Sequence, residues 1–126
     1  YTRRFYGLLK RRLAPDGAFA VQSTSPLFAR KSFWIIDRTI AASGFTTRPY
    51  HVAVPSFGEW GFVLAAPRPF EPPTRLIAGL RFLSDETLPA LFSFGPDMAR
   101  WEEAPVNRLH DQALVRTYES EWRRFE

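Results

Sequence analysis

The sequence predicts an α/β fold: a mostly parallel sheet that closes on an antiparallel final strand pair, followed by a helical extension. Three observations predict it. Residues 18–22, AFAVQ, form a short run that is apolar on both faces, as a buried parallel strand reads. A helical apolar pattern over 28–42 separates that run from an alternating segment at 49–54, which makes a strand–helix–strand unit. Only residues 55–59 link the strands at 49–54 and 60–66, too few for a crossover helix, so those two strands run antiparallel.

The chain opens on a helix over 2–14. Phe5, Leu8, Leu9 and Leu13 share one face, and Thr2 is placed to cap the start. Arg3, Arg4, Lys10, Arg11 and Arg12 cover most of the remaining surface, which reads either as a solvated face or as one for phosphate or lipid. Pro15-Asp16-Gly17 stops the helix in a tight turn. Ser25 and Pro26 form an N-cap and first-turn pair for the second helix, whose Phe33, Ile36 and Ile40 share a face and whose end is marked by Gly44. In 49–54, Tyr50, Val52 and Val54 alternate with His51 and Ala53, the period of a strand.

Residues 67–75 read as a stiff spacer, because 67–73 is PRPFEPP. Helical pieces are expected beyond it: 76–83, a turn or two within 97–103, and a terminal helix over 112–125 with Leu114, Tyr118, Trp122 and Phe125 on one stripe. Ser84 reads as an N-cap with acids in the first turn, and Asn107-Arg108-Leu109 as a polar loop. The organisation is therefore the α/β unit at 1–66, the spacer at 67–75 and a helical extension at 76–126.

Composition narrows the function. The chain has 126 residues, enough for one small domain, and is 45% hydrophobic and 24% charged, an ordinary globular composition. No run approaches the roughly 20 apolar residues of a membrane span, and no apolar core follows the basic first residues as in a signal peptide. Cysteine is absent, which excludes disulfides, thiolate nucleophiles and cysteine-based metal sites. His51 and His110 are the two histidines, too few for a His-rich metal site. The formal charge of +4 is modest and acids are interspersed, so nucleic acid is not expected as a partner. The chain starts at Tyr1 and enters a helical pattern almost at once, so it reads as part of something longer.

Residues 54–66, VPSFGEWGFVLAA, are the stretch around which the candidate site is organised. Gly58 and Gly61 bracket Glu59 and Trp60, and glycine serves where a chain takes φ > 0 or lets another group approach closely. The stretch is either a plain hairpin feeding a buried strand or a wall presenting Phe57 and Trp60 to a ligand. Glu59 at the strand mouth could meet a cationic ligand or sit solvated. A Ser56–His51 pair is conceivable but nothing marks His51 as its base. Gln22 ends the first strand, where open α/β sheets bind ligands; its amide either fixes a ligand or bonds the next loop.

The strand arrangement matches the C-terminal half of a Rossmann-like, methyltransferase-type sheet, without the glycine-rich cofactor loop after the first strand. Tyr1-Thr-Arg-Arg-Phe5-Tyr6, Val21-Gln22-x2-Ser25-Pro26 and Pro55-Ser56-x-Gly58-x-Trp60-Gly61-Phe62 together resemble the polyamine aminopropyltransferases, the spermidine synthase family. The likeness is greatest to bacterial forms with a membrane-embedded N-terminal region. Arg81-Phe-Leu, Phe94-x2-Asp97-Met98 and Val106-Asn107-Arg108-Leu109 are similar to the segment C-terminal to the catalytic domain in those forms.

The resemblance implies transfer of an aminopropyl group from decarboxylated S-adenosylmethionine to putrescine, giving spermidine and methylthioadenosine. It implies that Gln22, Pro55, Ser56, Phe57, Glu59 and Trp60 lie at the diamine site, with Gln22 at a strand end and Trp60 lining the amine pocket. Pro55, Ser56 and Phe57 occupy a loop where many relatives carry Pro-Thr-Tyr-Pro-Ser-Gly; here it is shorter and lacks the tyrosine. The catalytic aspartate, the cofactor loop and the ribose-reading acid are expected upstream of Tyr1. These 126 residues are therefore expected to be inactive alone and to bind no cofactor. The intact protein is expected to dimerise and to place this domain in the cytoplasm, itself free of membrane contact, with anchoring in the inner membrane by other segments. Two alternatives keep the fold: an S-adenosylmethionine-dependent methyltransferase-like domain, or a non-catalytic dimerising module pairing through an open strand edge.

Overall fold

The structure is a computed structural model, and it describes residues 1–125. Its elements are α1 (Arg3–Arg12), β1 (Phe19–Gln22), α2 (Arg30–Ala42), β2 (Thr46–Val54), β3 (Gly58–Ala66), α3 (Leu88–Leu91) and α4 (Ala113–Trp122). Short 3-10 turns occupy Pro96–Met98 and Arg123–Phe125. The fold is α/β, built on a small three-stranded sheet with helices against it.

The sheet order is β1-β3-β2, and among the described residues every pairing is antiparallel. This corrects the expectation of a mostly parallel sheet. β1 and β2 do point the same way, as a strand–helix–strand unit requires, but they are not neighbours. The hairpin strand β3 lies between them, so both ladders are antiparallel. The final antiparallel pair is as expected, with Val54 opposite Gly58 and Thr46 opposite Ala66. β1 is not apolar on two buried faces either: Phe19 and Val21 are half-buried while Ala20 and Gln22 are exposed. β2 starts at Thr46, three residues before the expected Pro49, because proline is tolerated on an edge strand.

Local rules account for the helix ends. The Thr2 hydroxyl accepts from the Phe5 amide at 3.2 Å and caps α1. Gly44 takes φ +94° just past the end of α2. The start of α2 differs from expectation: Ser25 Oγ accepts from the Leu27 and Phe28 amides and so caps a separate turn, and the helix begins at Arg30. In α1 the buried face is Tyr6, with Leu9 and Leu13 against the core; Phe5 and Leu8 are exposed, not on the buried face.

The core centres on α2, whose Phe33, Ile35, Ile36 and Ile40 pack with Phe45 and with Val63 and Ala65 of β3. Residues 76–83 are irregular and not helical: Gly79 takes φ +90°, and the Leu76 amide donates to Asp85 Oδ1 at 2.8 Å. Within 97–103 the expected turns are short: a 3-10 turn at Pro96–Met98 and a tight turn closed by the Ala104 amide donating to the Trp101 carbonyl at 3.2 Å. Residues 107–109 form a loop, as expected, but Asn107 within it is buried. Its amide donates to Thr39 Oγ1 at 2.9 Å, its Nδ2 donates to the Tyr1 carbonyl at 2.9 Å, and its Oδ1 accepts from Leu114 N at 3.1 Å. The Phe125 side chain of the expected stripe lies outside the described residues.

Burial pushes the Tyr6 phenol well above its ordinary 10.0, and Tyr1 adds to the rise. The folded state keeps a proton that the unfolded chain releases near that pH. The associated stability is intact below about pH 10 and is lost progressively as pH rises beyond it. Tyr6→Phe is expected to flatten the fall in stability above pH 10 in urea unfolding at stepped pH. A slope equal to wild type would assign the alkaline loss to another group.

Candidate functional site

A cavity of about 570 Å³ opens at the carboxyl end of β1. Gln22 and Trp60 both line it, one from β1 and one from β3. Cross-strand register brings them close, since Gln22 pairs with Phe62, two residues beyond Trp60. Ile36 and Leu114 contribute apolar wall, and Tyr1 closes one side, its phenol donating to the Gln22 carbonyl at 3.3 Å.

The backbone beyond β1 shapes the cavity mouth. Thr24 turns into the left-handed region at φ 57°, an uncommon conformation for a β-branched residue. Its carbonyl accepts from Gly61 N at 2.6 Å, while Ser23 N donates to the Gly61 carbonyl at 2.8 Å. Two buried polar atoms of lining residues, Thr24 Oγ1 and Trp60 Nε1, have no hydrogen-bond partner among the described residues. Buried polar atoms are nearly always paired, so an unpaired one calls for an explanation, a bound ligand or water being one.

The remaining expected site residues stand apart from this cavity. Pro55, Ser56 and Phe57 form the hairpin tip. The Phe57 amide donates to the Val54 carbonyl at 3.0 Å and Ser56 takes φ 70°, the features of a type II turn with proline at its first corner. Phe57 is 71% exposed. Glu59 is not solvated at the strand mouth: it pairs with His51 Nδ1 across the hairpin. His51 Nε2 lies 2.5 Å from the Ser93 carbonyl. His51 is thus held between Glu59 and the tail, and Ser56 is not among its hydrogen-bonding partners here.

Thr24, Tyr118 and Glu119 line the cavity without having been singled out for it by sequence. Tyr118 reads from sequence as one residue of an apolar stripe. Glu119 carried no signal, because only folding brings α4 to the end of β1. Among the described lining residues Glu119 is the one acid, and none is Lys or Arg. Aromatic walls, an amide and one carboxylate suit a small organic cation with an alkyl body. Among the described residues no group of three or more His, Asp or Glu is placed to hold a metal ion, and no helix is long and apolar enough to cross a membrane.

Fold and cavity thus define an α/β unit with a strand-end site suited to a small cation. Residues 1–70 match the spermine/spermidine synthase domain. The chain is 49% identical over 124 residues to polyamine aminopropyltransferase 2 of Ralstonia nicotianae, covering 97% of this chain and 24% of that protein. It is 51% identical over 124 residues to the polyamine aminopropyltransferase of Leptospira interrogans, covering 98% of this chain and 25% of that protein. With polyamine aminopropyltransferase 1 of Streptomyces coelicolor the identity is 44% over 126 residues, covering 98% and 24%. The chain belongs to the spermine/spermidine synthase family, and it spans about a quarter of the length of these relatives.

Proposed function

We propose that this chain forms the amine-side wall of an aminopropyltransferase, which moves an aminopropyl group from decarboxylated S-adenosylmethionine to putrescine. The observation that carries this reading is the convergence of Gln22 and Trp60 on one cavity at the carboxyl end of β1. The relatives' names supply the reaction class, aminopropyl transfer to a polyamine. In this reaction the lone pair of a neutral amine attacks the carbon beside the sulfonium, the carbon–sulfur bond breaks, and methylthioadenosine leaves. The amine then gives up a proton. The wall's task is to hold a flexible diamine so that one nitrogen faces the donor; Trp60 packs its methylenes or a cationic end, and the Gln22 amide orients it. Donor binding and the base belong, in this reading, to other parts of a protein about four times as long, so residues 1–126 alone are inactive.

The test uses the full-length protein with putrescine and decarboxylated S-adenosylmethionine. Spermidine formation is expected, with none from residues 1–126 alone. Trp60→Ala is expected to raise the diamine KM about thirtyfold, the equivalent of about 2 kcal/mol of desolvated cation–ring contact, while the donor KM holds. Absence of spermidine from the full-length protein, or turnover by the isolated chain, would sink the proposal.

A further inference from the structure

We infer that the C-terminal helix α4 completes the amine cavity, and that the Glu119 carboxylate takes the ammonium end of the diamine remote from the reacting nitrogen. The inference rests on the aminopropyltransferase reading and adds a residue outside the stretch 1–70 that matches the family's domain. Four observations carry it. Leu114, Val115, Tyr118 and Glu119 recur at i, i+1, i+4 and i+5, one face of α4, and all four line the cavity that Gln22 and Trp60 also line. Leu114 is buried in the core, whereas Val115 and Tyr118, on the cavity side of the same face, are 48% and 43% exposed. Glu119 is the only formal side-chain charge on the cavity's described lining. The buried Thr24 Oγ1 has no partner there and can accept from an ammonium N–H.

The position of α4 is fixed, not incidental. Glu121 binds the start of α2, Leu114 N is held by Asn107, and Asn107 also binds Thr39 and Tyr1. The similarity to the aminopropyltransferases covers 97% and 98% of this chain and so runs past residue 70 into α4. A diamine needs both ends recognised: its reacting nitrogen must be neutral, while its far nitrogen stays charged and is costly to enclose without a counter-charge. Glu119 supplies that counter-charge on a wall also carrying the Tyr118 ring.

The test is calorimetric titration of the full-length protein with putrescine and with n-butylamine, which has the same carbon chain and one nitrogen, alongside steady-state kinetics. Wild type is expected to prefer putrescine at least tenfold. Glu119→Gln should abolish that preference, raise the putrescine KM about tenfold at little change in kcat, and leave n-butylamine binding as it was; Glu119→Asp should restore part of it. A Glu119→Gln protein that keeps the diamine preference overturns the inference, even if spermidine is formed. A protein that shows Glu119-dependent diamine preference but forms no spermidine upholds it and refutes the proposed reaction.

Discussion

Glu121→Ala is expected to detach α4 from the start of α2, at a cost of about 3 kcal/mol. The helix N-terminus leaves its first amides without intrahelical acceptors, and at α2 the capping position is Ala29, whose side chain has no acceptor to offer. Glu121 fills that gap from 90 positions away in the chain. Its Oε2 accepts from Lys31 N at 2.9 Å, and its Oε1 accepts from Ser32 N at 2.8 Å and Ser32 Oγ at 2.6 Å. The carboxylate is buried, so these are charge-assisted bonds in a region of low dielectric, and they sit where the helix dipole favours an anion. Alanine would strand three donors at once. Amide hydrogen exchange should show it: protection at Lys31, at Ser32 and across 113–122 should fall about a hundredfold, the equivalent of about 3 kcal/mol. Glu121→Gln keeps one acceptor oxygen and should lose about half as much. Unchanged protection in the alanine variant would mean that α4 is held by its apolar contacts and Asn107 alone.

What the sequence made legible was local. Thr2, Gly44 and the short link at 55–59 act within a few residues, and each does what its type dictates. The neighbour order of the sheet was not legible, because periodicity reports which faces are apolar and says nothing about which strand supplies the hydrogen bonds. β3 could have lain on either side of β2; packing Val63 and Ala65 under α2 puts it between β2 and β1. The same limit governs the site. Gln22 and Trp60 stand at strand ends that register brings together, whereas Glu119 reaches the cavity only through tertiary packing of α4. The Glu59–His51 pairing, by contrast, is set by the hairpin register: Glu59 faces Ala53 and His51 faces Gly61, so the two lie diagonally on one face. Asn107 read as a loop because its neighbours are polar, yet its side chain takes on work that otherwise falls to backbone partners.

Gly61→Ala is expected to be the most damaging single methyl in the chain, costing about 3 kcal/mol and opening the cavity mouth. A Cβ there would lie 2.5 Å from Phe33 Cδ1 and 2.9 Å from the Thr24 carbonyl oxygen, distances that real Cβ atoms essentially never show. Neither neighbour can yield cheaply. Phe33 is fully buried, edge-on to Trp34 at 4.9 Å and against Phe94 at 5.7 Å, so its ring has nowhere to turn. The Thr24 carbonyl accepts from Gly61 N itself, so pushing it away breaks the bond that holds the strained Thr24 and, next to Gly61, the position of Trp60. The substitution should therefore speed exchange at the Ser23 and residue-61 amides and, on the function proposed above, raise the diamine KM of the full-length protein with the donor KM unchanged. Gly7→Ala provides the contrast. A Cβ at Gly7 meets nothing within 4 Å, and the position is inside α1, where alanine is the better helix former by about 1 kcal/mol. The same chemical change should thus stabilise at one glycine and destabilise at the other. If Gly61→Ala matched wild type in exchange and in amine KM, the close approach of β3 to Phe33 and Thr24 would not be what holds Trp60 at the cavity.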